Sequence, residues 1–438
     1  PFDKMQVTLD RSTLPGPLRS DEPAVFDLQG VAVHVLGWMG SRALDTDVAR
    51  RKKTLEDELT AEDGATVETL EGRTTDRGRY FPGDAVGRAG VEWSQEAVLR
   101  GLRGLQIRRL DTGAERFVEP NAGRDVHLTL DINLQARVQA ILEPSLGLAR
   151  VEPWQGAALA LPVGEALNGA AVVLDIDSGE ILAMVSSPGF SRETMRETPE
   201  LIVLDELNKP YVNRAITAAY PPGSIIKPLI FSGAVTHGFG YANHNMRFGH
   251  DLDGIEAITG SCNIFFYTLG RRMGAPVIAQ VLRAFGLGTR WNLGIGLEYA
   301  GGIGRKGDGS DLDLADATLM GIGQGPIDWT PLHAAAAYAT LARMGVYITP
   351  RIINNGTPAE IHETNIDRQA IAKALEGIDG VVNNHANGTA TGSMACASRS
   401  SMCQAYMCGE KQGPRPHRIY MSRRMARRYL CEQATMRG

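Results

Sequence analysis

No stretch of this chain reaches the roughly 18 consecutive apolar residues that a membrane-spanning helix requires. The best candidate, Val31-Ala32-Val33-His34-Val35-Leu36-Gly37-Trp38-Met39, is half that length and contains a histidine. Cysteine is as scarce. Cys262 is the only one before residue 390, which excludes a disulfide framework and leaves the fold to rest on its core alone. The others, Cys396, Cys403, Cys408 and Cys431, crowd into the last stretch without a zinc-ligand spacing. Positive charge is not in excess either. A net charge of −5 argues against a nucleic-acid binder as a whole. No internal repeat occurs, and 438 residues suffice for two domains.

What is present centres on Tyr220-Pro221-Pro222-Gly223-Ser224-Ile225-Ile226-Lys227-Pro228. A Pro-Pro-Gly stop is followed by a hydroxyl and an amine three positions apart. At that spacing Ser224 and Lys227 share one helix face. Pro228 falls in the first turn, where its missing N–H removes no helical bond. Serine is a poor nucleophile unless something takes its proton, and a lysine held neutral by apolar neighbours can do that. Leu229-Ile230-Phe231 continue a helix apolar nearly all round, as a buried one is. Alone, the pattern reads better as a capping serine at the start of a surface helix.

Further along, Ile258-Thr259-Gly260-Ser261-Cys262-Asn263 supplies a second hydroxyl and a carboxamide. Alone, it too reads as a helix cap. Upstream, Ala171–Ile176 and Ile181–Ser186 flank a Gly-containing turn and predict a buried hairpin. Val126–Asp131 predicts a strand, Ile132–Leu142 a helix, Ala334–Met344 an alanine-rich helix closed by Gly345, and Arg51–Leu59 with its flanks a solvated one. Hairpins mixed with helices predict an α+β fold, an antiparallel sheet with helices on both faces.

Five stretches in order resemble the class B penicillin-binding proteins, the monofunctional peptidoglycan D,D-transpeptidases, and most of all the elongation type. They are the hairpin ending Met184-Val185-Ser186-Ser187-Pro188-Gly189-Phe190, the Asn213-Arg214-Ala215 lead-in, the Ser224 block, Ser261-Cys262-Asn263, and Gly321-Ile322-Gly323-Gln324-Gly325 with Thr330-Pro331-Leu332. The resemblance implies a pedestal (dimerisation-like) module over 1–122 and a transpeptidase domain over 123–390. It implies that Ser224 attacks a D-Ala-D-Ala stem peptide, with Lys227 as base. Ser261 would hand the proton to the leaving amine, and Asn263 would hold the substrate amide. β-Lactams would acylate the same serine. Expected partners are stem peptides, β-lactams, a membrane glycosyltransferase and other elongation proteins, with no nucleic acid. The expected place is the periplasmic face of the inner membrane. The family's N-terminal anchor is expected to be missing from a chain that opens at Pro1 because the sequence is a fragment. No cofactor is expected, and no metal. His237, His244, His250, Asp251 and Asp253 share one loop, where some relatives place zinc, but without regular ligand spacing. Cys262 reads as a small buried hydrophobe, and Gln324 as part of a structural turn. Rival readings are a non-catalytic cell-wall scaffold acting through the N-terminal module, and a serine β-lactamase.

One family feature is missing. No Lys-Thr-Gly occurs, although that motif binds the substrate carboxylate and gives the second oxyanion donor. From 391 on the composition changes: nine basic residues against two acidic ones make the tail +7 and the rest −12 (−5 − 7). Residues 391–438 are expected to be frameshifted and poorly ordered. Codons for Gly409–Arg415, read from the third base of each, can be GGA, AAA, ACA, GGG, ACC and GCG. Those spell Gly-Lys-Thr-Gly-Thr-Ala. The competing reading is a genuine basic tail for anionic lipid or cell-wall polymer. If the tail is genuine, activity is expected to be slow or absent.

Overall fold

The structure is a computed structural model that describes residues 3–12, 14, 19–59, 67–70, 73–109, 111–147, 149–151, 162–239, 243–245, 250–384, 388–389, 402–407 and 417–422. Strands β1 (Lys4–Leu9) and β2 (Ala24–Gln29) form an antiparallel hairpin. Helix α1 (Asp45–Leu59) has acidic residues in its first turn, which suits the positive helix N-terminus. Hairpins β3 (Val67–Leu70) with β4 (Arg73–Asp76), and β5 (Leu105–Arg108) with β6 (Glu115–Val118), complete the N-terminal part.

Helix α2 (Ile132–Ile141) starts where predicted, because the Asp131 carboxylate accepts from the Asn133 and Leu134 N–H groups. The predicted strand before it is not one. Over Val126–Asp131 only Leu128 makes a bridge, to Ile353. Thr129 donates through its backbone to Ile352 O and through its hydroxyl to Ile181 O, and Asp131 turns away as a helix cap. The apolar alternation was right; a continuous partner strand is what the segment lacks.

The predicted buried hairpin is β7 (Gly169–Leu174) with β8 (Ile181–Ser187). Its side chains alternate between faces except at an irregularity in register between Ile181 and Ala183, which sends those two to opposite faces. Ala171, Ala183 and Val185 pack on Val138 and Leu142 of the α2 region. Ala170, Val172, Ile181 and Met184 pack on Ala215 and Ile216 of α3 (Arg214–Thr217) and on Leu332. Helices therefore cover both faces. Gln135 replaces a missing strand at the edge: its Nε2 donates to Met184 O at 2.8 Å and its Oε1 accepts from Met184 N at 2.7 Å. The N-terminal hairpin lies on the same helix, with Val7, Leu28 and Val31 against Ala136 and Ala140.

The largest core surrounds α4 (Lys227–Thr236), of which residues 227 to 234 are all buried. Around it pack α5 (Gly254–Thr259), α6 (Asn263–Met273), α7 (Ala275–Ala284), α8 (Leu314–Met320), α9 (Pro331–Ala342) and α10 (Arg368–Asn383). Helix α9 is the predicted alanine-rich one. Within the tail, β9 (Met402–Met407) and β10 (His417–Ser422) pair as a hairpin, and β9 lies against β7 and α9. The other residues from 390 on lie outside the described ones.

Candidate active site

Gly223–Ile226 is a single 3₁₀ turn leading into α4, and the Lys227 N–H donates to Ser224 O. Side chains at i and i+3 eclipse in that geometry, more closely than on an α-helix. Ser224 and Lys227 are thus stacked one turn apart, Ser224 half-buried and Lys227 only 1% exposed. The turn is clamped from three sides. Gly223 N donates to Gly323 O at 2.8 Å, Tyr338 Oη donates to Ile225 O at 2.7 Å, and Tyr220 and Trp329 exchange two backbone bonds. Gly323 must be glycine here: its φ is +77°, and a Cβ would lie 2.1 Å from Gly223 O. That gives the Gly321–Gly325 turn its part in the site, while Gln324 itself stays exposed.

The Lys227 ammonium position is fixed by three acceptors. Nζ lies 2.8 Å from Ser261 O, 2.9 Å from Ser261 Oγ and 2.6 Å from Asn263 Oδ1. Its stem runs beside Phe266, with Nζ 5.4 Å from that ring's centroid, a contact for which the sequence offered only an apolar run. A protonated amine donates all three bonds. A neutral one donates two and accepts the Ser261 hydroxyl proton. The same geometry accommodates both states.

Ser261 and Asn263 sit on either side of a helix junction. Helix α5 ends in a Schellman motif: Cys262 N donates to Ala257 O at 2.9 Å, and Ser261 N to Ile258 O at 3.0 Å. Ser261 holds the left-handed position at φ +50°, where glycine is the ordinary occupant. Asn263 opens α6 and is exposed, its Oδ1 committed to the lysine. Cys262 is buried among core residues, as expected of it. Of the four sequence-predicted residues, Lys227, Ser261 and Asn263 meet at the lysine amine, and Ser224 precedes that lysine by one 3₁₀ turn.

The Asn213-Arg214-Ala215 lead-in is a buttress. Arg214 is wholly buried and donates to the carbonyls of Asn208 and Lys209. Ser186 Oγ donates to Asn213 Oδ1 at 3.2 Å, tying α3 to the end of β8. Of the loop from His237 to Asp253, where no metal was expected for want of regular ligand spacing, the His244, His250 and Asp251 side chains lie outside the described residues. Asp253 is the N-cap of α5, in a capping box with Glu256.

A profile of the penicillin binding protein transpeptidase domain matches residues 169–399, more than half of the chain. The chain belongs to that family. Peptidoglycan D,D-transpeptidase MrdA of Haemophilus influenzae is 28% identical to this penicillin-binding protein over 428 residues, covering 86% of this chain and 59% of that one. MrdA of Acinetobacter baumannii is 28% identical over 322 residues, covering 64% and 44%. The chain spans about half the length of the curated relatives it matches. Penicillin-binding protein 2 of Helicobacter pylori, solved in complex with MreC, superposes with a TM-score of 0.67 at 20% identity, over 91% of this chain and 72% of that chain. That of Pseudomonas aeruginosa, in complex with WCK 5153, gives 0.62 at 22%, over 89% and 80%. The expected α+β penicillin-binding fold with an N-terminal module is the fold present, and the likeness is to class B proteins of the elongation type.

Proposed function

We propose that this chain carries the catalytic part of a peptidoglycan D,D-transpeptidase, working through a serine acyl-enzyme. The observation that carries the reading is the triple bond set of Lys227 Nζ to Ser261 O, Ser261 Oγ and Asn263 Oδ1, one 3₁₀ turn from Ser224. In this reading Ser224 Oγ attacks the carbonyl of the terminal D-Ala-D-Ala bond while its proton passes to Lys227. Ser261 relays a proton to the departing D-alanine amine, the C–N bond breaks, and an ester to Ser224 remains. An acceptor amine from a second stem peptide then displaces the serine and forms the crosslink. The Ser224 backbone N–H supplies one oxyanion donor. Asn263 holds the substrate amide. A β-lactam acylates the same oxygen, but its leaving amine stays tethered.

Residues 1–122 serve in this proposal as the pedestal module, and partners are other cell-wall elongation proteins, a glycosyltransferase among them. The complex of the Helicobacter pylori neighbour with MreC supports that class of partner. The work is done on the periplasmic face of the inner membrane, where the substrate is. One observation favours the scaffold alternative: the sequence as it stands has no Lys-Thr-Gly. Intact mass after incubation with a penicillin separates the two. A single adduct mapped by peptide digest to Ser224, and lost in Ser224→Ala, supports the transpeptidase. An unmodified wild-type mass leaves the scaffold, and an adduct that persists in Ser224→Ala refutes the assignment of the nucleophile.

A further inference from the structure

The N-terminal part holds a cleft of about 490 Å³ that the transpeptidase reading leaves unused. Its walls come from three segments: the end of β4 with the turn after it, the start of β5, and Pro120 beyond β6. Arg77, only 7% exposed, joins them by donating to Arg103 O, Glu119 O and Asn121 Oδ1. That guanidinium is spent on structure. Leu105, Pro120 and Phe81 give the cleft apolar lining, and Phe81 is 40% exposed.

Two more arginines meet over the same ring. The guanidinium carbons of Arg79 and Arg103 lie 4.7 Å and 4.6 Å from the Phe81 centroid. Stacking of this kind holds the guanidinium plane while leaving its edge N–H groups for acceptors. Two like charges sharing one ring are mutually unfavourable, and the local carboxylates do not balance them. Asp84 pairs with Arg103 and, at 2.9 Å, with Arg100. Asp76 is tied to Arg51 at 2.6 Å. Glu96 is buried and accepts from Gly87 N. Arg79 is exposed and has no carboxylate partner among the described residues. Of the charged residues that line the cleft, Arg77, Arg79 and Arg103 stand against Asp76, so it keeps a surplus of positive charge on a chain of net charge −5.

We infer that this cleft docks an acidic peptide segment of a partner protein, with Arg79 and Arg103 clamping carboxylates and Phe81, Leu105 and Pro120 receiving an apolar side chain between them. The mixed lining favours a peptide over a bare anion, because an inorganic ion leaves the apolar wall unused. Bidentate carboxylate recognition also suits guanidinium forks better than point charges.

The test uses the full chain and a fluorescein-labelled heptapeptide of alternating glutamate and leucine, with its glutamine counterpart as control, read by anisotropy at low and at physiological ionic strength. The glutamate peptide is expected to bind, weakening with salt; the glutamine peptide is not. Arg79→Glu is expected to cut affinity by about tenfold or more, and Phe81→Ala to weaken it too. Both variants should keep the wild-type melting temperature and penicillin adduct. Should Arg79→Glu fold poorly, Arg79→Gln and the peptide charge series carry the same comparison. No binding of the glutamate peptide at low ionic strength, or binding indifferent to Arg79, overturns the inference. So does Arg79-dependent binding to phosphatidylglycerol vesicles with the peptide silent, which would assign the cleft to a membrane surface.

Discussion

Lys227 meets both the main-chain carbonyl and the side-chain hydroxyl of Ser261 with one nitrogen, at 2.8 Å and 2.9 Å. Ser261 presents both oxygens from the left-handed Schellman position at φ +50°. An L-residue pays about 1–2 kcal/mol to stand there, so the serine is kept against the local preference for glycine. The conflict separates stability from chemistry. Ser261→Gly relieves the backbone and Ser261→Ala does not, although both lose the hydroxyl. We expect the glycine variant to be more stable than the alanine variant by about 1 kcal/mol, while both acylate slower by about 10²–10⁴. Thermal melting and the rate of labelling with a fluorescent penicillin check the two halves independently. A glycine variant melting below the alanine one would contradict the reading of the junction.

Helix α10 holds that junction from behind. A Cβ on Gly380 would come 2.3 Å from Thr259 Oγ1, and one on Gly377 would come 2.8 Å from Ile258 Cβ. Thr259 Oγ1 also donates to Gly377 O at 3.2 Å. Helix α10 has no room to retreat, because Ile371, Ala374, Ile378 and Val381 on it are buried in the main core. On an exposed helix, glycine to alanine stabilises by roughly 0.5–1 kcal/mol. Here the sign reverses. Gly380→Ala should destabilise by about 1–3 kcal/mol and slow acylation, since Thr259 lies two residues before Ser261. Denaturant midpoints decide it, and a stabilised Gly380→Ala would mean that the two helices are not in close contact.

These two cases show where sequence reading stops. The meeting of Lys227 with Ser261 and Asn263 was legible because the order and spacing of the motifs place hydroxyl, amine and amide in one family pattern, and the β7–β8 hairpin because its alternation is local. The left-handed Ser261 was not, because turn chemistry reads such a position as glycine. The use of Gly377 and Gly380 depends on a helix more than a hundred residues earlier. The packing of Val7 and Leu28 on Ala136 and Ala140 is equally non-local, and no periodicity reports which two amphipathic faces meet. The strand expected at Val126–Asp131 failed for the same reason: alternation marks a half-buried extended segment and says nothing of a neighbour to pair with.

A buried histidine sets a pH limit on the fold. His333 is 1% exposed, and its ring lies 4.5 Å from that of Trp291, tilted by 43°. Its Nε2 faces the carbonyl of Thr289 at 3.1 Å and therefore carries the proton. Its Nδ1 accepts from Thr330, the N-cap of α9. Burial pushes its pKa down to about 4 from the usual 6.5. Above 6.5 both folded and unfolded chains hold it neutral, and it contributes no pH dependence. As pH falls from 6.5 to 4, the unfolded chain takes the proton first, so folding stability declines. A shift of this size corresponds to roughly 3 kcal/mol at the lower end. His34, lowered to about 4 mainly by burial, adds in the same window. We expect melting temperatures to fall between those pH values, with a shallower slope in His333→Gln despite its lower stability at neutral pH. An unchanged slope in that variant would assign the acid sensitivity to other groups.

The family profile ends at residue 399, close to where the chain turns from −12 to +7 overall. Selection for a basic tail explains the arginines. It does not explain why codons for Gly409–Arg415 can encode Gly-Lys-Thr-Gly-Thr-Ala one frame away, the motif whose absence removes half of the expected carboxylate site. A strand from this region, β9, already lies against β7 and α9, so a motif-bearing strand has a place to dock. Sequencing the gene across codons 385 to 420 in independent clones is expected to reveal a single-base insertion or deletion. Restoring the frame should then speed acylation of Ser224 by about 10²–10³, the usual effect of regaining one oxyanion donor. An intact frame in every clone would leave the basic tail genuine, and the measured acylation rate of the chain as written would then be its true one.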